Sequence, residues 1–162
     1  MIDVVDKATR SRMMSGIKGK NTKPEITVRK ALFLSGYRFR LHRKDLPGNP
    51  DIVLPGRKVA IFVHGCFWHS HEGCSLSKIP ATNTEFWKNK LSENVRRDHR
   101  AKEGLVRKGW RVLTVWECFV RSADSLEILA AKLKGWIESE SVTGTLERID
   151  PDRVSIPSGK TS

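Results

Sequence analysis

No apolar run in this sequence approaches the ~20 residues that a membrane-spanning helix requires, so none is expected. Cysteine is scarce and odd in number, three residues among 162, which suits a disulfide framework poorly. Negative charge is also short: 18 Asp+Glu stand against 30 Lys+Arg, for a formal net charge of +12. A surface so biased presents a positive field, and its natural partner is a polyanion. Tyrosine occurs once, yet five Trp and six Phe help hold the hydrophobic fraction at 38%, too apolar for a disordered polycation. Met1–Lys20 lacks an apolar stretch followed by a small-residue cleavage site, so no signal peptide and a reducing, cytoplasmic setting are expected.

What is present fits one domain, since 162 residues match the usual size of roughly 150. Its expected extent is 1–140, with a basic N-terminal segment. Residues 141–162 turn polar, carry Pro151, Pro157 and Gly159, and are expected to form a mobile tail. No internal repeat interrupts the chain.

Thr22-Lys-Pro-Glu25 reads as a helix start: Thr22 can cap, Pro24 fits the first turn, and Glu25 takes the capping-box position. Val28, Ala31, Leu32 and Ser35 then share a face, and Gly36 supplies the stop. Tyr37–Leu41 alternates as a half-buried strand does. Leu46-Pro-Gly-Asn-Pro50 predicts a turn, followed by a hairpin of Asp51–Leu54 and Lys58–Val63. If a three-residue Gly56-Arg57-Lys58 loop pairs Val53 with Ile61, Asp51 faces Val63 beside His64. From His64 to Asn83 the periodicity vanishes into a long loop of about 20 residues, a length that compact domains keep for a function or tether internally. Thr84–Lys108 predicts a long charged helix, Trp110–Trp116 a strand covered on both faces, and Leu126, Leu129, Leu133 and Trp136 a last helix started by Ser122 or Asp124. These elements imply an α/β fold, a mixed sheet with helices on its faces.

Within the long loop, Cys66, His71 and Cys74 form C-x4-H-x2-C, and Cys118 follows the buried strand. Thiolate and imidazole donors at such spacing suit tetrahedral Zn²⁺. Four protein ligands leave no open position, so the ion would be structural, clipping the loop to the sheet. His69 also lies between the cysteines, and the spacing admits either histidine. Buried free thiols are the competing reading.

Asp51 opens a hairpin whose second strand ends at Val63-His64, a layout suited to holding a divalent cation beside a phosphate. Mg²⁺ prefers oxygen donors, here Asp51, the carbonyl of residue 63 and phosphate. An imidazole near its ordinary pKa of ~6.5 is a suitable base for an attacking water, and His64 and His69 are both candidates. By residue type alone Glu25 is explained by capping, and Asp98 by a solvated helical face.

Phe67-Trp68 sits inside the polar ligand loop, where little core is available to bury it. Large apolar side chains on a basic surface can wedge between base steps. Trp87, at the start of the long helix, is a second aromatic of this kind. Arg10, Arg12, Lys18, Lys20 and Lys23 are candidate phosphate contacts, and Met13 and Met14 among them could reach the minor groove.

Five motifs, Asp6-Lys-Ala-Thr-Arg-Ser11, Leu46-Pro-Gly-Asn-Pro-Asp51, Phe62-Val-His-Gly-Cys-Phe-Trp-His69, Pro80-Ala-Thr-Asn-Thr-Glu-Phe-Trp87 and Gly109-Trp-Arg-Val-Leu-Thr-Val-Trp-Glu-Cys118, occur in this order. Together they closely resemble the very-short-patch repair (Vsr) endonucleases, over about residues 3–138. The resemblance implies a restriction-endonuclease-like fold and a monomeric, Mg²⁺-dependent enzyme that nicks 5′ to the thymine of a T·G mismatch left by 5-methylcytosine deamination. It implies Asp51 and the Val63 carbonyl as Mg²⁺ ligands, His69 as general base assisted by His64, and Glu25 and Asp98 as groups that orient them. It further implies zinc on Cys66, His71, Cys74 and Cys118, insertion of Phe67, Trp68 and Trp87 beside the mismatch, and Met14 wedging from the other groove. Mismatched duplex DNA would be the substrate, with mismatch-repair proteins as candidate partners and the nucleoid as the place of action. Val63 stands where members often carry threonine, and Ser70 with Glu72-Gly73 interrupts a run that is histidine-rich in some relatives. Two alternatives remain open at this point: a zinc-stabilised DNA-binding module without catalysis, and a nuclease of the same fold directed at foreign DNA.

Overall fold

The structure is a computed structural model and describes residues 21–148. The first helix, α1 (Lys23–Leu34), begins with the expected capping box. The Thr22 N–H donates to Glu25 Oε2 at 2.7 Å and the Glu25 N–H to Thr22 Oγ1 at 3.4 Å. Two of the orphan donors of the first turn are thereby satisfied.

Five strands follow in the spatial order β1 (Arg40–Leu41), β2 (Ile52–Leu54), β3 (Val59–His64), β4 (Arg111–Trp116) and β5 (Thr143–Leu146). The pairs β1–β2 and β2–β3 are antiparallel, and β3–β4 and β4–β5 are parallel. Helix α2 (Thr84–Arg107) connects the parallel pair β3–β4, as such a crossover demands. A short helix α3 (Glu117–Ser122) and then α4 (Leu126–Ile137) lead to β5.

Period-two alternation divides the core between the two faces of the sheet. Ile52, Leu54, Val59, Ile61, Leu113 and Val115 pack against α1 and α4 through Val28, Leu32, Leu129, Leu133 and Ile137. Val53, Ala60, Phe62 and Val112 point the other way, against Ala101 and Leu105 of α2. The α/β class and the strand covered on both faces are therefore as the sequence predicts.

Several details differ. Tyr37–Leu41 contributes only Arg40–Leu41 as strand, although Tyr37 and Phe39 do pack on the core. The hairpin connection holds four residues rather than three: Pro55–Arg57 forms a 3-10 turn and Lys58 adopts φ +54°. The register accordingly moves by one, pairing Ile52 with Ile61 and Val53 with Ala60. Helix α4 is capped by Ser125, whose hydroxyl accepts from the Ile128 N–H at 3.1 Å, not by Ser122 or Asp124. Residues Thr143–Leu146, which the sequence reading assigns to the tail, form the edge strand β5. Gly144 admits this pairing because a Cβ there would overlap the Trp136 indole. Arg111 closes the region from β4, donating to the carbonyls of Trp136, Ile137, Ser139 and Ser141 with its guanidinium over the Trp136 ring. No helix among the described residues is long and apolar enough to cross a membrane.

Candidate active site and metal centre

Asp51 reaches its place through the Leu46–Asn49 turn, closed by an Asn49 N–H to Leu46 carbonyl bond of 3.1 Å. Pro47 and Gly48 occupy its centre, and Gly48 takes φ +76°, the backbone a type II turn requires at that position. The shifted register no longer sets Asp51 opposite Val63, but its carboxylate reaches there: the Val63 N–H donates to Asp51 Oδ2 at 2.8 Å. Glu25 is buried at the start of α1 and hydrogen-bonds the Asp51 carboxyl. Burial first, and this neighbouring acid second, push Asp51 up to about 8. The donor atoms of these two adjoining acids offer hard oxygen ligands to a divalent cation.

His42 completes this corner. Its Nδ1 lies 4.0 Å from Asp51 Oδ1, and Arg29 Nη2 is 3.2 Å from its Nε2. Donor atoms of Glu25, His42 and Asp51 all fall within 4.8 Å of one another.

His64 ends β3, and His69 lies five residues on in the loop that follows, where its N–H bonds the Gly65 carbonyl at 3.1 Å. Their rings stack at 3.7 Å with an interplanar angle of 1°. Asp98 of α2 faces both: Oδ2 is 2.6 Å from His69 Nδ1, and Oδ1 is 3.9 Å from His64 Nε2. An ionised carboxylate only accepts, so the short contact fixes the His69 proton on Nδ1 and leaves Nε2 as a free acceptor. Burial, reinforced by His69 and Lys102, holds His64 well below 6.5, so this imidazole is neutral at pH 7. Asp98 is thus placed between two histidines rather than on the solvated face expected from residue type.

These groups line one cleft of about 1120 Å³, together with Lys23, Phe67, Trp68, Lys90 and Arg97. Phe67, Trp68 and Trp87 form an edge-to-face cluster with centroids 5.0 to 5.9 Å apart, and Phe86 extends it at 5.2 Å from Trp87. Asn94 Nδ2 donates to the Trp68 carbonyl at 2.9 Å and Arg97 Nη2 to Asn94 Oδ1 at 2.7 Å, so α2 holds the aromatic loop directly. Lys23 is exposed at the start of α1. Arg10, Arg12, Met13, Met14, Lys18 and Lys20 lie outside the described residues.

The second cluster starts two residues beyond His64. Cys66, His71, Cys74 and Cys118 bring one donor atom each within 4.8 Å of the others. Loop hydrogen bonds fold the ligands inward: the His71 N–H donates to the Cys66 carbonyl at 2.9 Å, and Ser77 Oγ to the carbonyls of His71 and Cys74 at 2.7 Å each. His71 stacks on Trp116 at 4.0 Å, while His69 stands apart against Asp98. Burial raises the Cys66 and Cys118 thiols. Three thiols and an imidazole so closely gathered are compatible with a soft cation among them.

Sequence reading missed Lys90, Asn94, Arg97 and Glu117 in this cleft, the Glu117 Oε1 accepting from the Cys66 N–H at 3.4 Å, as well as His42 beside Asp51 and Phe86 beside Trp87. Asn94 was findable, because it lies four residues before Asp98 and shares its helix face. His42 carried no signal: it depends on a positive φ of 50° that its residue type does not announce.

Residues 2–75 match the family described as DNA mismatch endonuclease Vsr. The chain is 44% identical to the DNA mismatch endonuclease Vsr of Escherichia coli over 149 residues, covering 91% of this chain and 95% of that protein. It is 46% identical to the Type II nicking enzyme V.XorIIP of Xanthomonas oryzae over 127 residues, covering 78% and 93%. The Type II nicking enzyme V.NmeAIP of Neisseria meningitidis is 43% identical over 122 residues, covering 75% and 86%. With this identity sustained along nearly the whole of these relatives, and its donor clusters gathered on a basic chain, the protein belongs to the Vsr family of DNA mismatch endonucleases.

Proposed function

We propose that this chain nicks one strand of duplex DNA 5′ to the thymine of a T·G mismatch, in a Mg²⁺-dependent step of very-short-patch repair. The observation that carries the chemistry is the His69–Asp98 contact of 2.6 Å in the cleft that also holds Asp51. Asp98 keeps His69 in the tautomer whose Nε2 can take a proton from water attacking the phosphorus. Neutral His64, stacked on that ring, restrains it and assists. Glu25 and the Val63 N–H both hydrogen-bond the Asp51 carboxyl and fix its position.

Mg²⁺ fits the Asp51 corner by donor chemistry: the carboxylates of half-buried Asp51 and buried Glu25 converge there, and Val63 lines the same cleft. Bound there, it would supply a Lewis acid for the scissile phosphate. Zinc fits the four convergent soft donors of Cys66, His71, Cys74 and Cys118 and would have a structural role. In the duplex, Phe67, Trp68 and Trp87 act as the wedge beside the mismatch. Lys23, with Arg10, Arg12, Lys18 and Lys20, contacts phosphates, while Met14 enters from the opposite groove. A mixed sheet bearing its acid at the start of a hairpin supports a restriction-endonuclease-like assignment. One copy supplies all these groups, which favours a monomer.

The test is a nicking assay on matched T·G and T·A duplexes in several sequence contexts, with and without Mg²⁺. Cutting confined to T·G and to Mg²⁺ supports the proposal. Equal cutting of both duplexes supports a foreign-DNA nuclease, and tight binding without cutting supports a non-catalytic module.

A further inference from the structure

Beyond the four metal donors, the same centre receives contacts from the far end of the sheet. Glu147, directly after β5, places Oε2 3.4 Å from His71 Nε2. The next residue, Arg148, hydrogen-bonds Cys118 through its main chain. On the other side of the imidazole, His71 Nδ1 lies 3.5 Å from Cys118 Sγ. Resting on the zinc reading above, we propose that the end of β5 is part of the metal centre: Glu147 fixes the His71 tautomer that offers Nδ1 to zinc, and zinc in turn holds β5 on the sheet.

The placement of one proton on the His71 ring decides which nitrogen is free for a metal. A carboxylate accepts and does not donate, so the bond to Glu147 requires the proton on His71 Nε2 and leaves the Nδ1 lone pair toward the thiols. Trp116 lies flat against the ring at 4.0 Å and 10°, which restricts its tilt but not its protonation. Among the described residues Glu147 is the carboxylate at Nε2. Outer carboxylates of this kind orient ligating histidines in zinc sites generally.

The converse follows from how little else secures β5. It is an edge strand of four residues that, among the described residues, pairs with β4 alone, with exposed and half-buried positions alternating. Within the strand, Leu146 is the residue packed on the apolar core of the described residues. An edge strand so poor in buried surface opens easily, so two added contacts to a rigid metal site should weigh heavily in its stability. Glu147 is therefore a positioning residue, not a catalytic one.

Measurements on the full chain test this. First, wild-type protein is loaded with Zn²⁺ and its content determined. Second, affinity is measured by competition with a chromophoric chelator for wild type, Glu147→Ala and Glu147→Gln. Third, hydrogen exchange of the β5 amides is followed with and without the chelator, and the His71 ring nitrogens are assigned by ¹⁵N NMR in the loaded protein. The expected results are a loss of about 10–100-fold in zinc affinity for Glu147→Ala, a smaller loss for Glu147→Gln, which keeps an acceptor, and selective loss of β5 protection on chelation. Zinc-loaded wild type should show Nε2–H and a bare, metal-facing Nδ1. Zinc affinity unchanged in Glu147→Ala, or β5 protection indifferent to zinc, overturns this inference while sparing the zinc reading. Wild-type protein that takes up no zinc overturns both.

Discussion

His64 and Cys66 stand two positions apart at the end of β3, yet they enter clusters that differ in donor type, closure and surroundings. The sulfur-rich cluster is shut: Cys66, His71 and Cys118 are buried, and its four donors match in number the four ligands of a closed structural zinc site. The oxygen-rich corner is open, since Asp51, His69 and Asp98 all face the large cleft. Its donor set is also incomplete, which leaves room for a phosphate. A closed set of soft ligands fixes a loop, whereas an open set of hard ones has capacity left for a substrate. That difference, more than the identity of any single residue, separates scaffold from chemistry here.

Substitution should break the two clusters in opposite ways. Asp51→Asn keeps the acceptor for the Val63 N–H but removes the charge, and is expected to lower T·G nicking by about 10³-fold or more while duplex binding persists. Single-turnover nicking together with a binding titration checks it. Because burial opposes ionisation of Asp51, the same variant should not lower the melting temperature of metal-free protein. Cys118→Ser, or removal of the metal by a chelator, acts on the fold instead. The expected loss is several kcal/mol, about 10 °C in melting temperature, read by calorimetry alongside nicking. Full thermal stability without zinc would erase the contrast.

The pH dependence sharpens the comparison. Asp51 titrates from an ordinary 3.8 up to about 8 in the folded chain, so the folded state holds a proton that the unfolded state has lost. With more protons bound to the folded form, the contribution of Asp51 to the stability of metal-free protein is full below about pH 4, falls as pH rises toward about 8, and then levels. Asp51→Asn should flatten that slope. A cation displaces the proton, so Mg²⁺ affinity should rise by up to tenfold per pH unit in the same window, as isothermal titration at several pH values would show. The zinc cluster gives no comparable signature from a shared carboxyl proton.

The sequence made much of this legible wherever one local rule decided the outcome. Thr22 and Glu25 announced the cap, the apolar alternation of Val59–Val63 announced the sheet, and the spacing of Cys66, His71 and Cys74 announced a ligand loop. Readings failed where a distant partner decided. Lys58 adopts a left-handed backbone without being glycine, which lengthened the hairpin connection and moved its register. The polar Thr-Gly-Thr stretch of β5 resembles a tail because its cover comes from Trp136 of the preceding helix and from Arg111, which is some 30 residues away in sequence. Asp98 looks like one more charge on α2 until the β3 loop folds back upon it.

The smallest expected effect lies in the aromatic cluster, which adjoins both clusters and belongs to neither. Trp87 touches Phe67, Trp68 and Phe86, so it is the hub of the wedge. Trp87→Ala should cost ~1–3 kcal/mol of T·G duplex affinity if it stacks on a base. Phe86 is 60% exposed and touches the wedge only through Trp87. Its removal forfeits a single edge-to-face pair, ~0.5–1.5 kcal/mol, and should weaken binding by about 2–10-fold. Fluorescence anisotropy on T·G and T·A duplexes separates the two. If Phe86→Ala weakens T·G binding as much as Trp87→Ala, Phe86 itself enters the helix, and the wedge is one aromatic ring longer than the loop alone provides.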